Sequence, residues 1–341
     1  MKSLRPGLYA LSVCVAVALL AGCGGSQPIG APGAMHGAMT TRNGALQASS
    51  SGTLIYASNT EEGTKAVILD YPSGELLASF QPPIEPEGAC SDTQGDVYLS
   101  GGTISGAASI VEYTYGATSP SASANLPGDV ARDCTVDNTT GNVAAITYYS
   151  HSGQIYSVAV LPKFQSPANI YNYPAMLLFD SVGYDGSGNL FLLGTTSGGN
   201  YALAELPSGG SSFEPILLNL GESIAKVRTV QWDGKYLAIE ATKVGQGQEK
   251  HWPQVIYRLT VSGSKAKVVG TIRFKGLRGV ESGTSWIQAD RNIMVFARGP
   301  IPVWGYPGGG KQLAKLRSGI DQGMHLATVA ASSSYSQIQK H

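Results

Sequence analysis

One short sequence pattern recurs along the chain and limits the folds that it can adopt. An apolar stretch ends in Asp, a short turn containing Gly or Asn follows, and a second apolar stretch begins. The aspartates of the copies are 45 to 57 residues apart, at Asp92, Asp137, Asp185, Asp233 and Asp290. Asp can hydrogen-bond the backbone two residues on, and Gly or Asn adopts positive φ, so each copy predicts a tight β-hairpin.

Further apolar stretches fill the intervals between these hairpins. A third strand is predicted after each hairpin, as at residues 110–113 and 202–206, and a weaker fourth occupies most intervals, as at residues 267–272. Four antiparallel strands in each repeat, without helical periodicity, are typical of β-propeller blades. We therefore predict an all-β fold, a six-bladed β-propeller.

The two ends of the repeat region complement each other. Residues 54–58 have the character of a second strand, but no first strand precedes them. Residues 324–329 have the character of a first strand, and only the polar tail follows them. We predict that these N- and C-terminal strands belong to one blade and close the ring, which leaves no open sheet edge. Seven blades would require a repeat of about 40 residues, and the sequence contains none.

The first 22 residues have the organisation of a secretory signal. Two cations precede an apolar stretch at residues 8–20, which is too short to span a bilayer. The junction reads L-A-G-C and resembles the bacterial lipobox, whose Cys becomes the lipidated first residue of the mature protein. An ordinary signal that happens to carry Cys is the alternative. We predict a lipid anchor at Cys23 and, because Gly24 follows it, sorting to the outer membrane, facing the periplasm or the cell surface.

Composition supplies the predicted domain limits. Residues 1–22 are the signal peptide, 23–51 a flexible Gly/Ala/Ser/Pro tether, 52–331 the propeller and 332–341 a polar tail. The chain has 23 basic and 23 acidic residues, a formal net charge of zero. A nucleic-acid partner is therefore not expected, and the predicted contact with a membrane is through the lipid alone.

The repeat resembles a known family. Residues 86–99, PEGACSDTQGDVYL, with the IVEY strand at 110–113, are similar to the NHL-type propeller repeat, P-x-G-(I/V)-A-V-D-x-x-G-N-V-Y-V followed by a strand with an acidic or basic residue and an aromatic one. The match weakens in the last two repeats, where Arg291 stands at the turn. The resemblance covers most of residues 53–330 as architecture, and it is to uncharacterised bacterial envelope lipoproteins of this class more than to any enzyme subgroup.

Two cysteines remain in the predicted propeller. Cys90 and Cys134 lie on the predicted first strands of neighbouring blades. Innermost strands converge towards a propeller axis, so a disulfide is geometrically feasible, and an oxidising periplasm would permit it. We predict the bridge; two buried free thiols are the alternative.

The starts of the innermost strands and their loops are predicted to surround the mouth of the central channel. Charged residues cluster there, and the candidates for binding are Glu87, Arg132, Asp180, Arg228, Glu281 and His325. A small polar or sugar-like ligand is the predicted occupant, and a self-compensating polar rim without a ligand is the alternative. Aromatic residues that could add stacking are Tyr148, Tyr149, Tyr171, Tyr173, Trp252 and Trp304.

Enzymatic alternatives find less support in the sequence. A lactonase-like hydrolase would need an axial Ca²⁺, which Glu87, Asp180 and Glu281 could only partly hold, because no Asn recurs at a matching position. A zinc lyase would need several axial histidines, and only His325 is suitably placed. No catalytic residue, cofactor or metal ligand is therefore assigned. The predicted function is a lipid-anchored envelope propeller that binds a small polar ligand or a protein partner; an axial-metal hydrolase or lyase is the alternative.

Overall fold

The protein is built almost entirely of β-strands. The computed structural model describes residues 52–59, 65–150, 155–221, 223–248, 252–278, 285–288, 292–296, 300–317 and 324–331. The predicted signal peptide, tether and polar tail lie outside these residues. Within the described part the single helical element is a 3₁₀ turn at Pro162–Phe164. None of the described segments forms a helix with the length and apolarity that a membrane span requires.

The strands form antiparallel groups of four in chain order. The first group contains β1 (Thr53–Asn59), β2 (Lys65–Asp70), β3 (Leu76–Phe80) and the last strand, β24 (Met324–Ala331). The second consists of β4 (Ile84–Ser91), β5 (Val97–Thr103), β6 (Ala108–Tyr113) and β7 (Ala122–Asn125). The third consists of β8 (Val130–Val136), β9 (Val143–Tyr149), β10 (Ile155–Leu161) and β11 (Asn169–Tyr171).

The remaining groups follow the same plan. The fourth consists of β12 (Leu178–Tyr184), β13 (Leu190–Thr195), β14 (Tyr201–Leu206) and β15 (Glu214–Ile216). The fifth consists of β16 (Ile224–Trp232), β17 (Leu237–Lys243), β18 (Pro253–Ser262) and β19 (Lys265–Arg278). The sixth consists of β20 (Ser285–Gln288), β21 (Ile293–Phe296), β22 (Ile301–Gly305) and β23 (Gly309–Leu316).

Backbone pairing joins these groups into sheets of four, eight, four and eight strands. Each eight-stranded sheet is two groups connected by one parallel bridge, Glu87 to Arg132 in one and Phe274 to Gly310 in the other. In the first group the order is β24-β1-β2-β3, so the last strand of the chain pairs with the first. We call β24, β4, β8, β12, β16 and β20 the inner strands. Each contacts the next in this order, and β20 also contacts β24.

Apolar side chains fill the layers between consecutive groups. Adjacent residues on one strand pack in different layers: Ile55 lies in the layer between the first and sixth groups, and Tyr56 in the layer between the first and second. Both faces of each strand are therefore buried, which is why these strands have nearly continuous apolar sequences. Repeated four-stranded antiparallel groups packed face to face constitute an all-β fold of the β-propeller type.

Side chains also hydrogen-bond between neighbouring inner strands. Ser181 Oγ on β12 accepts the backbone N–H of Val230 on β16 at 3.0 Å, and Gln231 Oε1 on β16 accepts the N–H of Ile287 on β20 at 2.9 Å. Ser91 Oγ on β4 donates to the carbonyl of Val329 on β24 at 2.7 Å. These bonds satisfy backbone groups on the side of each inner strand that faces the next inner strand, with which it forms no continuous ladder.

A buried aspartate links the fifth and sixth groups. The carboxylate of Asp233, at the hairpin turn after β16, accepts from Arg258 Nε at 2.5 Å and from the hydroxyl of Tyr306 at 2.6 Å. Burial raises the pKa of Asp233, but these two donors more than offset it, so the pKa lies below its ordinary value. The aspartate of the recurrent pattern thus fixes its own turn and also contacts the neighbouring group.

Candidate functional site

Five of the inner strands bulge at a polar residue near their starts. Pairing with the second strand skips one residue in β4, β8, β12 and β24, and three residues in β16, where Ala225 is skipped before Lys226 and two polar residues are skipped after Val227. The skipped polar residues are Glu87, Asp133, Asp180, the pair Arg228 and Thr229, and His325. A bulge removes a residue from the ladder and redirects its side chain, and bulges are frequent next to binding sites. The bulges therefore mark the end of the inner strands that the sequence predicts as the channel mouth.

Most of the predicted mouth residues lie at these bulges. The skipped residues include four of the candidates: Glu87, Asp180, Arg228 and His325. For His325 the structure describes the backbone alone. Arg132 precedes the skipped Asp133 and its backbone bridges to Glu87. Glu281 lies outside the described residues.

Positive charges from two inner strands surround Asp180. Burial raises the pKa of this carboxyl, and the charges of Arg132, Lys226 and Arg228 oppose the rise. Asp180 Oδ2 also accepts from Thr195 Oγ1 at 3.3 Å. Arg132 and Lys226 are exposed, and within the described ranges neither has a carboxylate within 4.0 Å. This side of the mouth therefore presents cations that no close acidic side chain neutralises.

An aromatic row extends from Arg132 along one side of the mouth. The Arg132 guanidinium lies 6.0 Å from the ring centroid of Tyr148. Tyr148 stacks on Tyr156 with centroids 5.4 Å apart, and Tyr156 lies 5.7 Å from Phe179. The row supplies an apolar surface beside the cations. Of the other predicted stacking residues, Trp304 is a core residue, only 3% exposed.

Asp133 is the most constrained bulge residue. Its φ is +45°, and its Oδ2 accepts the N–H of Val182 on β12 at 3.0 Å. Burial raises the pKa of Asp133 to about 6, although Ser181 and Val182 donate hydrogen bonds to the carboxylate. A Cβ on Gly88 of β4 would lie 2.4 Å from the Asp133 nitrogen, so only glycine permits this approach of β4 to β8.

The disulfide predicted beside this approach is confirmed. Cys90 on β4 and Cys134 on β8 are bonded, with their Cα atoms 5.5 Å apart. Both residues are buried, at 0% and 2% exposure. The bridge joins two inner strands directly behind the bulges at Glu87 and Asp133.

Sequence reasoning missed a buried glutamate opposite the bulge in β16. Glu240 on β17 is 1% exposed, and its Oε2 accepts from Ser285 Oγ at 2.6 Å and Thr229 Oγ1 at 3.4 Å. Its Oε1 has no hydrogen-bond partner among the described residues. Burial raises the pKa of Glu240, and the charge of Arg228 opposes the rise. An acidic residue inside the apolar stretch of residues 237–241 was the available signal.

The described mouth residues do not form a set of ligands for a divalent cation. No three His, Cys, Asp or Glu side chains converge in the part of the chain that the structure describes. One carboxyl of the mouth, Asp180, is close to three cationic side chains that would repel Ca²⁺. Around Asp180 the described residues therefore bring cations together rather than a set of metal ligands.

Comparisons with known proteins identify the fold alone. No protein-family model matches the chain. No curated protein matches its sequence either. Among solved structures, a nidogen/laminin complex aligns with a TM-score of 0.57 at 11% identity, over 82% of this chain and 99% of that one. Hydrazine synthase of Kuenenia stuttgartiensis aligns with a TM-score of 0.53 at 12% identity, over 75% and 74% of the two chains.

A third structure aligns more loosely. The beta-propeller domain of Cps50 (Swd1) from Myceliophteria thermophila gives a TM-score of 0.48 at 8% identity, over 80% of this chain and 85% of that one. That score is too low to support an argument. At such identities the two better alignments show a similarity of fold alone and carry no information about activity.

Proposed function

We propose that the protein is a binding propeller whose channel mouth takes a small polar ligand with an acidic group. The observation that carries this proposal is the set of cations around Asp180: Arg132 and Lys226 are exposed and have no close acidic partner in the described ranges. Arg binds carboxylates through paired N–H donors, and a mouth that excludes part of the solvent strengthens such contacts. The aromatic row beside Arg132 would contact the apolar part of the same ligand.

The proposal includes a ring of six blades closed by β24. The support is the antiparallel pairing of β24 with β1 and the contact of β20 with β24, which together would bring the two ends of the chain into one blade. In such a ring the inner strands would lie around one axis, and their bulges would form one rim. The NHL-type repeat remains part of the proposal on the strength of residues 86–99.

Titration calorimetry tests the binding site. The probes are citrate, succinate and glucuronate, with glucose as the neutral comparison, added to the purified full chain. At least one anion is expected to bind, with an affinity that falls as salt rises, because exposed charges are screened. Arg132→Gln and Lys226→Gln should each weaken binding, whereas Lys267→Gln, on the outermost strand β19, should not. Binding that is equal in all three variants would refute the site.

Metal analysis separates this function from the hydrolase alternative. The full chain, purified without chelator and examined by plasma mass spectrometry, is expected to contain no stoichiometric Ca²⁺ or Zn²⁺. One bound Ca²⁺ per chain, lost on substitution of Asp180 by Asn, would instead favour a lactonase-like hydrolase with an axial metal.

The proposal places the protein in the bacterial cell envelope, held by a lipid at Cys23, with the outer membrane as its destination. Two or more acyl chains give stable anchoring where a single chain binds only marginally. Replacing Cys23 by Ser should abolish labelling by a fatty-acid probe and move the protein to the soluble fraction. Unchanged labelling or unchanged membrane retention would remove the anchor from the proposal.

A further inference from the structure

A second concave site lies far along the inner strands from the bulges. It is a cleft of about 250 Å³ between the third and fourth groups, beside the hairpin turns that follow β8 and β12. Its walls include Tyr171 and Tyr184, and its rim includes Gly188 and the turn at Pro207. The cleft thus lies at the opposite ends of β8 and β12 from Arg132 and Asp180.

The charges around this cleft exclude an anionic ligand. Asp137 is the only charged side chain among the described lining residues, which include no Lys, Arg or His. Its Oδ1 accepts from the N–H and the hydroxyl of Thr139 at 2.9 and 2.6 Å, and Thr140 Oγ1 also donates to its carboxylate. A phosphate or carboxylate in the cleft would face this negative charge without a compensating cation, which makes its desolvation unfavourable.

The remaining lining groups suit a neutral molecule with many hydroxyl groups. Asn142 Oδ1 accepts the N–H of Lys163 at 3.1 Å, which leaves its Nδ2 hydrogens available to a ligand. Asn169 and Ser208 add an amide and a hydroxyl that can both donate and accept. The lining also contains two tyrosines and two prolines, which supply apolar surface beside these polar groups. A sugar ring has the matching pattern, with hydroxyls at its edge and C–H groups on its faces.

We propose that this cleft binds one neutral sugar ring, at a site separate from the channel mouth. The volume sets the size of the ligand. Pockets for drug-sized ligands run from about 300 to 1,000 Å³, so a cleft of about 250 Å³ accommodates one pyranose ring and not a longer oligosaccharide. The ring of Tyr171 packs edge-on against Phe213, with centroids 6.4 Å apart. This contact fixes the tyrosine ring, so that the sugar ring can stack on its face.

The chain offers a matched pair of glycines for the test. Gly141 and Gly188 occupy equivalent hairpin turns, with φ values of +77° and +80°. A Cβ at Gly188 would lie 3.2 Å from Asp137 Oδ2 and 3.3 Å from Ser208 Oγ, inside the cleft, whereas a Cβ at Gly141 would meet nothing within 4 Å. Gly188→Ala and Gly141→Ala therefore carry the same backbone strain, and only the first fills the site.

Saturation-transfer NMR and calorimetry on the full chain measure binding of glucose, galactose, mannose and N-acetylglucosamine, and a thermal melt confirms that each variant is folded. At least one sugar is expected to bind saturably. Gly188→Ala and Tyr171→Ala should weaken that binding about tenfold or more, while Gly141→Ala and Arg132→Gln should leave it within about twofold. The Tyr171 variant decides the question if Gly188→Ala does not fold.

Three results would overturn the inference. The first is that none of the four sugars binds, even at the highest sugar concentration at which the protein stays in solution. The second is that Gly188→Ala and Gly141→Ala weaken binding equally, which would assign the loss to strain. The third is that Arg132→Gln abolishes sugar binding, which would place the sugar in the channel mouth. Failure of the anion titration at the mouth leaves this result unaffected, because the two sites share no lining residue.

Discussion

Replacing Asp133 by Asn should stabilise the protein at neutral pH. The pKa of Asp133 is about 6 in the folded protein against an ordinary value of 3.8, because the carboxylate is buried. Between these values the folded protein holds a proton that the unfolded chain releases, so wild-type stability falls as the pH rises through this window. A difference of about two pKa units corresponds to about 3 kcal/mol.

Asn is the appropriate substitution because it preserves the geometry. It adopts the φ of +45° as readily as Asp, and its Oδ1 can accept the N–H of Val182. Urea unfolding, followed by tryptophan fluorescence at several pH values from 3.5 to 7.5, gives the free energy of unfolding of each protein. The difference between Asp133→Asn and wild type should grow by about 3 kcal/mol between pH 3.5 and 7 and then stay constant.

The control for this experiment is Glu85→Gln, which removes an exposed carboxylate from the neighbouring strand β4. This variant measures what the loss of one exposed carboxylate on β4 does to the free energy of unfolding. If the free energy of unfolding of Asp133→Asn runs parallel to that of wild type over this pH range, burial does not destabilise the carboxylate and the reasoning fails.

Three further outcomes are expected. Replacing both cysteines of the bridge by Ser should lower the free energy of unfolding by about 2–4 kcal/mol in urea melts, and an unchanged midpoint would contradict the loop-closure argument. Deleting residues 322–341 should cause insolubility or loss of cooperative unfolding, because β24 pairs with β1 along its length. Deleting only residues 333–341 should be tolerated. If the longer truncation stays soluble with an unchanged Tm, β24 has no structural role. Arg258→Met should cost about 3 kcal/mol in the same melts, because it leaves the carboxylate of Asp233 buried without its cation, and a neutral effect would show that Tyr306 suffices.

The repeat could be predicted from sequence because turn chemistry and strand alternation act locally. Asp, Gly and Asn at fixed positions specify hairpins wherever they occur, so the hairpins after Asp92, Asp137 and Asp185 were accessible from residues alone. Cys90 and Cys134 could be paired because converging inner strands bring equivalent positions together. Even the weak turn near Arg291 follows the pattern, since Asn292 adopts a φ of +53° where other repeats place Gly.

The bulges could not be predicted, because they depend on contacts between strands that are distant in sequence. Asp133 bulges where β4 and β8 approach most closely, and that approach depends on the missing side chain of Gly88, 45 positions earlier. Glu240 was missed for a related reason: its partner Ser285 lies in another group. The cleft between the third and fourth groups likewise forms from turns of two groups, and neither turn alone indicates a site.

The position of β1 has a mechanical consequence. β1 lies between β24 and β2, with antiparallel pairing to β24 from Thr53 to Asn59 and to β2 from Leu54 to Asn59. A pulling force applied at Thr53 along the axis of β1 therefore loads two ladders of backbone hydrogen bonds in shear instead of opening the bonds one at a time. The strand β1 is therefore suited to bear tension.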